Sequence, residues 1–186
     1  MRRLGRELGV EAMSLYNHVE SKDDVLRGII DLVLAEIDVP HPGDDWAEAM
    51  RRRATSARAV FGRHPWAIGI LERHSEDSSP RRLGYYDAVL GALREAGFGP
   101  RTAMRGFTVL DAYIYGFILQ ESSLAFDDQE SLEDVGEDLL RQMADAYPHL
   151  TEATRMVLEQ GYDRGDEFGY GLDLIIEALD RRRGGD

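Results

Sequence analysis

Apolar residues recur every three or four positions along most of this chain, and strand-like alternation is nearly absent, so the pattern predicts an all-helical protein. The opening segment Met1–Leu8 is short and helix-like, with Leu4 and Leu8 on one face. Gly9, free to take positive φ, ends it. A second short helix is predicted from about Ala12 to Val19, with Leu15 and Val19 inward. Ser21-Lys22-Asp23-Asp24 then reads as a capping box that starts a longer helix through Val25, Leu26, Ile29, Ile30, Val33, Leu34 and Ile37.

Val39-Pro40-His41-Pro42-Gly43 is the sharpest break. It divides the chain into a unit of residues 1–39 and a body of residues 44–186. In the body, Asp44 or Asp45 caps a helix running to about Gly62, and His64-Pro65 starts a short helix through Trp66, Ile70 and Leu71. Glu76 to Ser79 reads as a loop. Ser79-Pro80 opens a helix that Gly97 ends, and Gly99-Pro100 opens a long apolar one from Arg101 to about Phe126. An acidic linker, Asp127 to Glu130, precedes a helix ending before Pro148. Two more are expected, at about Thr151–Gln160 and Gly165–Arg183.

Composition narrows the function. Across 186 residues there is no cysteine, which removes disulfides and thiolate metal sites. No apolar run is long enough to span a bilayer, and no signal-peptide core follows the N-terminus, so a cytoplasmic protein without membrane contact is expected. The five histidines form no His-x-x-x-His cluster, and there is neither a glycine-rich phosphate loop nor a nucleophile elbow. Nothing supports catalysis, and no cofactor is expected.

The net charge of −13 speaks against nucleic acid until its distribution is considered. Residues 1–22 hold four basic side chains (Arg2, Arg3, Arg6, Lys22) against three acidic ones, a net of +1, and the remainder holds −14. Only the opening segment suits phosphates. Two short helices joined by a glycine turn describe a helix-turn-helix, whose second helix must enter a groove about 12 Å wide. Met13 suits a thymine methyl, and Ser14 can donate or accept. Tyr16, Asn17 and His18 offer hydrogen bonds to phosphates or bases, and Lys22 sits at a helix start suited to one phosphate. By spacing alone, the same pattern also fits two core helices with Tyr16 and His18 half-buried.

The run Arg2-Arg3-Leu4-Gly5-Arg6-Glu7-Leu8-Gly9-Val10, then Ser14-Leu15-Tyr16-Asn17-His18-Val19, then Ser21-Lys22-Asp23-Asp24, resembles the TetR family signature. The resemblance implies that Arg2, Met13, Ser14, Tyr16, His18 and Lys22 contact operator DNA. Residues 44–186 resemble the tetracycline-repressor-like ligand-binding domain through His64-Pro65-Trp66, Leu93-Arg94-Glu95-Ala96-Gly97-Phe98 and Phe168-Gly169-Tyr170-Gly171-Leu172. In that family another helix precedes the pair, packs across it and touches the DNA backbone, whereas this chain begins inside the second helix. The expectation is an N-terminal unit with uncovered apolar faces and weak operator binding. The alternative is a dimeric small-molecule-binding protein that has lost DNA binding.

From Phe107 to Leu119 nearly every residue is apolar, so that helix must be covered on more than one side. One face runs Met104, Phe107, Asp111, Ile114, Ile118. The opposite face runs Val109, Tyr113, Gly116, Gln120, Ser123, and its small residues suit close approach by another helix. With Tyr170, Gly171, Leu174 and Ala178 of the last helix it predicts a two-fold four-helix homodimer contact, which the resemblance also implies. The other face of the last helix (Phe168, Leu172, Ile175, Ile176, Leu179) serves the core. Asp111 would look inward, either as a structural carboxylate paired with an arginine or as the polar hook of an effector pocket walled by Trp66, Ile70, Met104, Phe107 and Ile114, with Arg73 or His74 adding a contact. The resulting mechanism is a repressor released by a small molecule. The effector tilts the helix beginning at Ser21 and changes the spacing of two recognition helices, which half-sites about 34–36 Å apart require to be fixed.

Overall fold

The computed structural model describes residues 1–74, 79–123, 129–143 and 146–184, and every regular element among them is helical. The opening unit comprises α1 (Arg2–Leu8), α2 (Ala12–Leu15) and α3 (Lys22–Leu34). Gly9 ends α1 at φ 68°, where a side chain would be strained, and its N–H reaches the Arg6 carbonyl. α2 is a single turn, shorter than the period implied. Turn-like bonds from Tyr16, Asn17 and His18 to Met13, Ser14 and Leu15 carry the coil on toward Val19. The Ser21 hydroxyl accepts from Asp24 N–H, while the Asp24 carboxylate accepts from Ser21 N–H, closing the expected capping box of α3.

The linker after α3 is held down at several points. Pro40 is buried, Asp38 N–H donates to the Ser56 hydroxyl at 2.9 Å, and Arg52 bridges Asp38 and Asp44 at 3.0 and 2.5 Å. The body follows with α4 (Trp46–Arg63), capped by Asp45, then α5 (Trp66–Arg73) and α6 (Pro80–Glu95), capped by Ser79. After these come α7 (Pro100–Glu121), α8 (Gln129–Met143), α9 (Pro148–Gln160) and α10 (Arg164–Asp180). α7 is the centre: α4, α6 and α10 all pack on it, and Leu110 and Ile114 are fully enclosed. Close approach of α10 depends on Gly106, where a Cβ would stand 3.2 Å from a Leu179 methyl. α3 packs against α5 and α6, so the helix leading from the opening unit rests directly on the body. α8 and α9 pack mainly on each other.

Several boundaries differ from the sequence pattern. α9 begins at Pro148, ahead of Thr151, because proline is favourable in a first turn whose N–H groups have no partner. α10 ends at Asp180, short of Arg183. Gln129 and Glu130 belong to α8 and are not a linker. Residues 76–78 of the expected loop, and Leu124 to Asp128 at the end of the long helix and the start of the linker, lie outside the described residues.

Candidate DNA-reading unit and effector-binding body

In the opening unit the side chains proposed to read DNA stand outward. Met13 is 74% exposed, Tyr16, Asn17, His18, Arg2 and Lys22 are exposed, and Arg3 and Arg6 share the surface. Tyr16 and His18 are therefore more exposed than the half-buried positions that two ordinary core helices would give them. Ser14 is the exception, half-buried with its hydroxyl donating to the Glu11 carbonyl at 2.7 Å. Its proton is committed, so it can only accept from a base edge. The inward residues Leu4, Leu15 and Val19 are half-covered, while Leu8 is 60% exposed. The buried core begins at Ile30.

In the body, Asp111 faces inward as expected and is paired with an arginine, Arg53 of α4. Arg53 is the largest fully buried side chain among the described residues. Its Nε donates to the Tyr85 hydroxyl at 2.8 Å and its guanidinium lies 5.1 Å from the Tyr85 ring centre and 5.7 Å from that of Phe107. Tyr115 donates weakly to the other Asp111 oxygen at 3.4 Å. Burial opposes the Arg53 charge, but the Tyr85 oxygen and the Asp111 carboxylate outweigh it and hold its pKa above the usual arginine value. Burial pushes the Tyr85 hydroxyl up to about 12 and the Tyr115 hydroxyl well above its ordinary value, so both remain protonated, Tyr85 accepting from Arg53 and Tyr115 donating to Asp111.

The six residues proposed to line a pocket do not share one environment. Ile114 and Asp111 are buried, and Ile70 and Phe107 are half-buried with Phe107 against Tyr86. Met104 and Trp66 correct the expectation. Met104 shares the side of Asp111 but sits two turns nearer the start of α7, where it is 52% exposed, and Trp66 stands at the surface with its ring against His64. Arg73 is exposed, and the His74 carbonyl is taken by Arg82. The residues missed around Asp111 are Arg53, Tyr85 and Tyr115. Arg53 is the third of Arg51-Arg52-Arg53, and the signal available for it was that it alone of the three falls on the stripe of Ala49, Ala54 and Ala57. A cleft of about 490 Å³ lies elsewhere, lined by Thr55, Arg58, Gly62, Pro65, Glu121 and Arg164 among others.

The outer faces of α7 and α10 leave large apolar side chains in solvent: Val109 and Leu119 on one, Tyr170 and Leu174 on the other. Gln120 is exposed with them, and Gly116 and Ala178 are half-buried. Ala112 and Leu119 are exposed too and continue the spacing Val109, Ala112, Gly116, Leu119 along one stripe. Tyr113 turns back into its own chain, stacked on Phe168 at 5.5 Å and donating to the Phe168 carbonyl at 2.8 Å. Gly171 makes room for it, since a Cβ there would stand 2.3 Å from the Tyr113 hydroxyl.

Residues 39–183 match the family described as Tetracyclin repressor-like, C-terminal domain. The chain belongs to the TetR family. An HTH-type transcriptional regulator of Saccharopolyspora erythraea is 30% identical over 151 residues, which are 81% of this chain and 64% of that protein. This chain therefore spans a little under two thirds of that relative's length. The class C tetracycline repressor protein of Escherichia coli is 28% identical over 98% of this chain and 81% of its own. Among solved structures, the TetR family protein ActR of Streptomyces coelicolor, crystallised with actinorhodin, superposes with a TM-score of 0.78 at 27% identity. That match covers all (100%) of this chain and 88% of the other. The curated relatives are named as transcriptional regulators or repressors. Among the described residues no helix is long and apolar enough to cross a membrane, and no group of three histidine or carboxylate side chains converges to hold a metal.

Proposed function

We propose that this TetR family protein is a cytoplasmic transcriptional repressor that binds operator DNA as a homodimer and is released by a small-molecule effector held in the body. The observation that carries the reading is the outward presentation of Met13, Tyr16, Asn17 and His18 beside Arg2, Arg3 and Arg6, in an opening segment that is slightly basic although the chain as a whole is acidic. Met13, Asn17 and His18 meet base edges or phosphates, and Lys22 takes a phosphate. The half-buried Ser14 accepts from a base amine. The apolar stripe Val109–Leu119 with Tyr170, Leu174 and Ala178 suits a second copy by the four-helix contact. The inward face of Ile70, Phe107, Asp111 and Ile114 is the first candidate for effector contact. α3 rests on α5 and α6, so a shift of either tilts α3 and changes the separation of two recognition helices.

The test is retardation of the DNA fragment upstream of the protein's own gene. Binding should weaken with salt, Tyr16→Ala should weaken it further, and Lys22→Ala should lower the salt slope by about 0.9. No salt-sensitive binding to any genomic fragment would refute the reading. The uncovered Leu8 favours a second reading, in which the chain binds effector and dimerises but holds operator weakly. Operator retardation should then be weak even at low salt while effector binding persists, and tight operator binding would dismiss that second reading.

A further inference from the structure

The cleft between α4 and the C-terminal end of α7 does not coincide with the interior cluster around Asp111. On α4 it is lined by Thr55, Arg58, Ala59 and Gly62, which lie on the side of the helix turned away from Arg53. Its floor is apolar, from Ala59, Pro65 and Ile118. Its charged side chains are two arginines, Arg58 and Arg164, against one carboxylate, Glu121. Arg58 is paired with Glu121, so the cationic character of the lining lies in its arginine N–H groups and not in a large net charge. Asp163 lies beside Arg58, but its carboxylate is already occupied by the N–H groups of Gly165 and Asp166 at the start of α10.

Arg58 is held in place before any ligand arrives. Its Nε and Nη2 donate to the two Glu121 oxygens at 3.0 and 2.5 Å, and its plane lies over the rings of Phe117 and Phe168 at 5.5 and 5.3 Å. Among the described residues Nη1 has no acceptor, which leaves one edge of a rigid guanidinium for an incoming oxygen. The cleft therefore combines a fixed cationic donor with an apolar floor of a size suited to a small molecule.

The cleft also borders the end of α3. Gly62 and Pro65 in its wall flank Arg63 and His64, and these two hold Glu36 just beyond α3, at 2.6 and 3.3 Å. The Arg63 hydrogen bond, with the charges of His64 and Arg63, keeps the Glu36 carboxyl below its usual range. Gly62 and Pro65 thus place the cleft against the end of α4, which carries Arg63, and against His64 just beyond it.

We propose that the cleft is a binding site for small aromatic carboxylates, separate from the Asp111 cluster, and that occupation loosens the Glu36 latch on α3. The regulatory consequence rests on the repressor reading, whereas binding itself does not. The experiment is amide hydrogen exchange of the full chain with millimolar benzoate, salicylate and 1-naphthoate, each against its neutral amide. Protection of residues 55–65 and 118–122 is expected, with affinity for the acids about tenfold above that for the amides. Ala59→Trp, whose fold is checked by its melt, should abolish that protection because the indole fills the cleft. Bound carboxylate should speed exchange at residues 36–38, and Glu36→Gln should remove that response. No protection, protection confined to residues 107–114, equal binding of acid and amide, or protection surviving in Ala59→Trp would each overturn the site. Protection without any change at residues 36–38 would overturn the latch. Since no DNA is present, failure of operator binding leaves these results standing, and their failure leaves operator binding intact.

Discussion

Replacing Asp111 by asparagine probes the most demanding contact in the body. Asparagine keeps the shape and one acceptor but removes the charge, leaving the Arg53 guanidinium with the Tyr85 hydroxyl and two aromatic faces. The two side chains are 1% and 13% exposed, so water cannot take over. Breaking a buried pair from one side costs about 3–5 kcal/mol, and the retained acceptor places Asp111→Asn near the lower end. For a chain of this size each kcal/mol moves the melting midpoint by about 2–4 °C, so a fall of roughly 6–12 °C is expected. The assay is denaturant and thermal unfolding at one fixed protein concentration, because the stability of the proposed dimer would depend on it. Removing every member together, as Arg53→Met, Asp111→Leu, Tyr85→Phe and Tyr115→Phe, leaves no orphaned polar group and should return stability to within about 1 kcal/mol of the parent. A loss below about 1 kcal/mol for Asp111→Asn, or an apolar variant as damaged as the single one, would refute the electrostatic account. Asp111 would then be a residue kept free for ligand.

Gly171→Ala should cost about 1–3 kcal/mol, because its Cβ meets the Tyr113 ring and hydroxyl, and a ring stacked on Phe168 cannot retreat freely. Unfolding midpoints check it, and loss of the Tyr113–Phe168 bond should show in near-ultraviolet dichroism. Ser21→Ala removes half the capping box and should cost about 1 kcal/mol, with faster amide exchange at Asp24 and little change in the body. Stability should fall in acid. Glu36 is held low by Arg63 and His64, and Asp163 by the N–H groups of Asp166 and Gly165. The unfolded chain therefore binds protons first. The contribution is complete above the ordinary carboxylate pKa of roughly 4 and is lost as pH falls through the depressed folded values. Melting temperature measured from neutral pH downward should show this, and Glu36→Gln should flatten part of the slope.

Local rules made much of this protein legible in its sequence. Capping boxes, first-turn prolines and glycines at positive φ act within a few residues. Ser21 with Asp24, Pro80, Gly9 and Gly97 therefore marked helix ends without knowledge of the fold. The phase of the long helix likewise turned Asp111 and Ile114 inward. Only the tertiary structure could choose the partner of Asp111, because Arg53 lies 58 residues away and several arginines were equally available by composition. It also left Met104 exposed on the side of α7 that buries Asp111, and set Tyr113 on its own Phe168, since what covers each turn of a helix is decided by its neighbours and not by its own pattern. The cleft at Arg58 was beyond sequence reasoning for the same reason: its walls come from helices that meet only after the chain has folded.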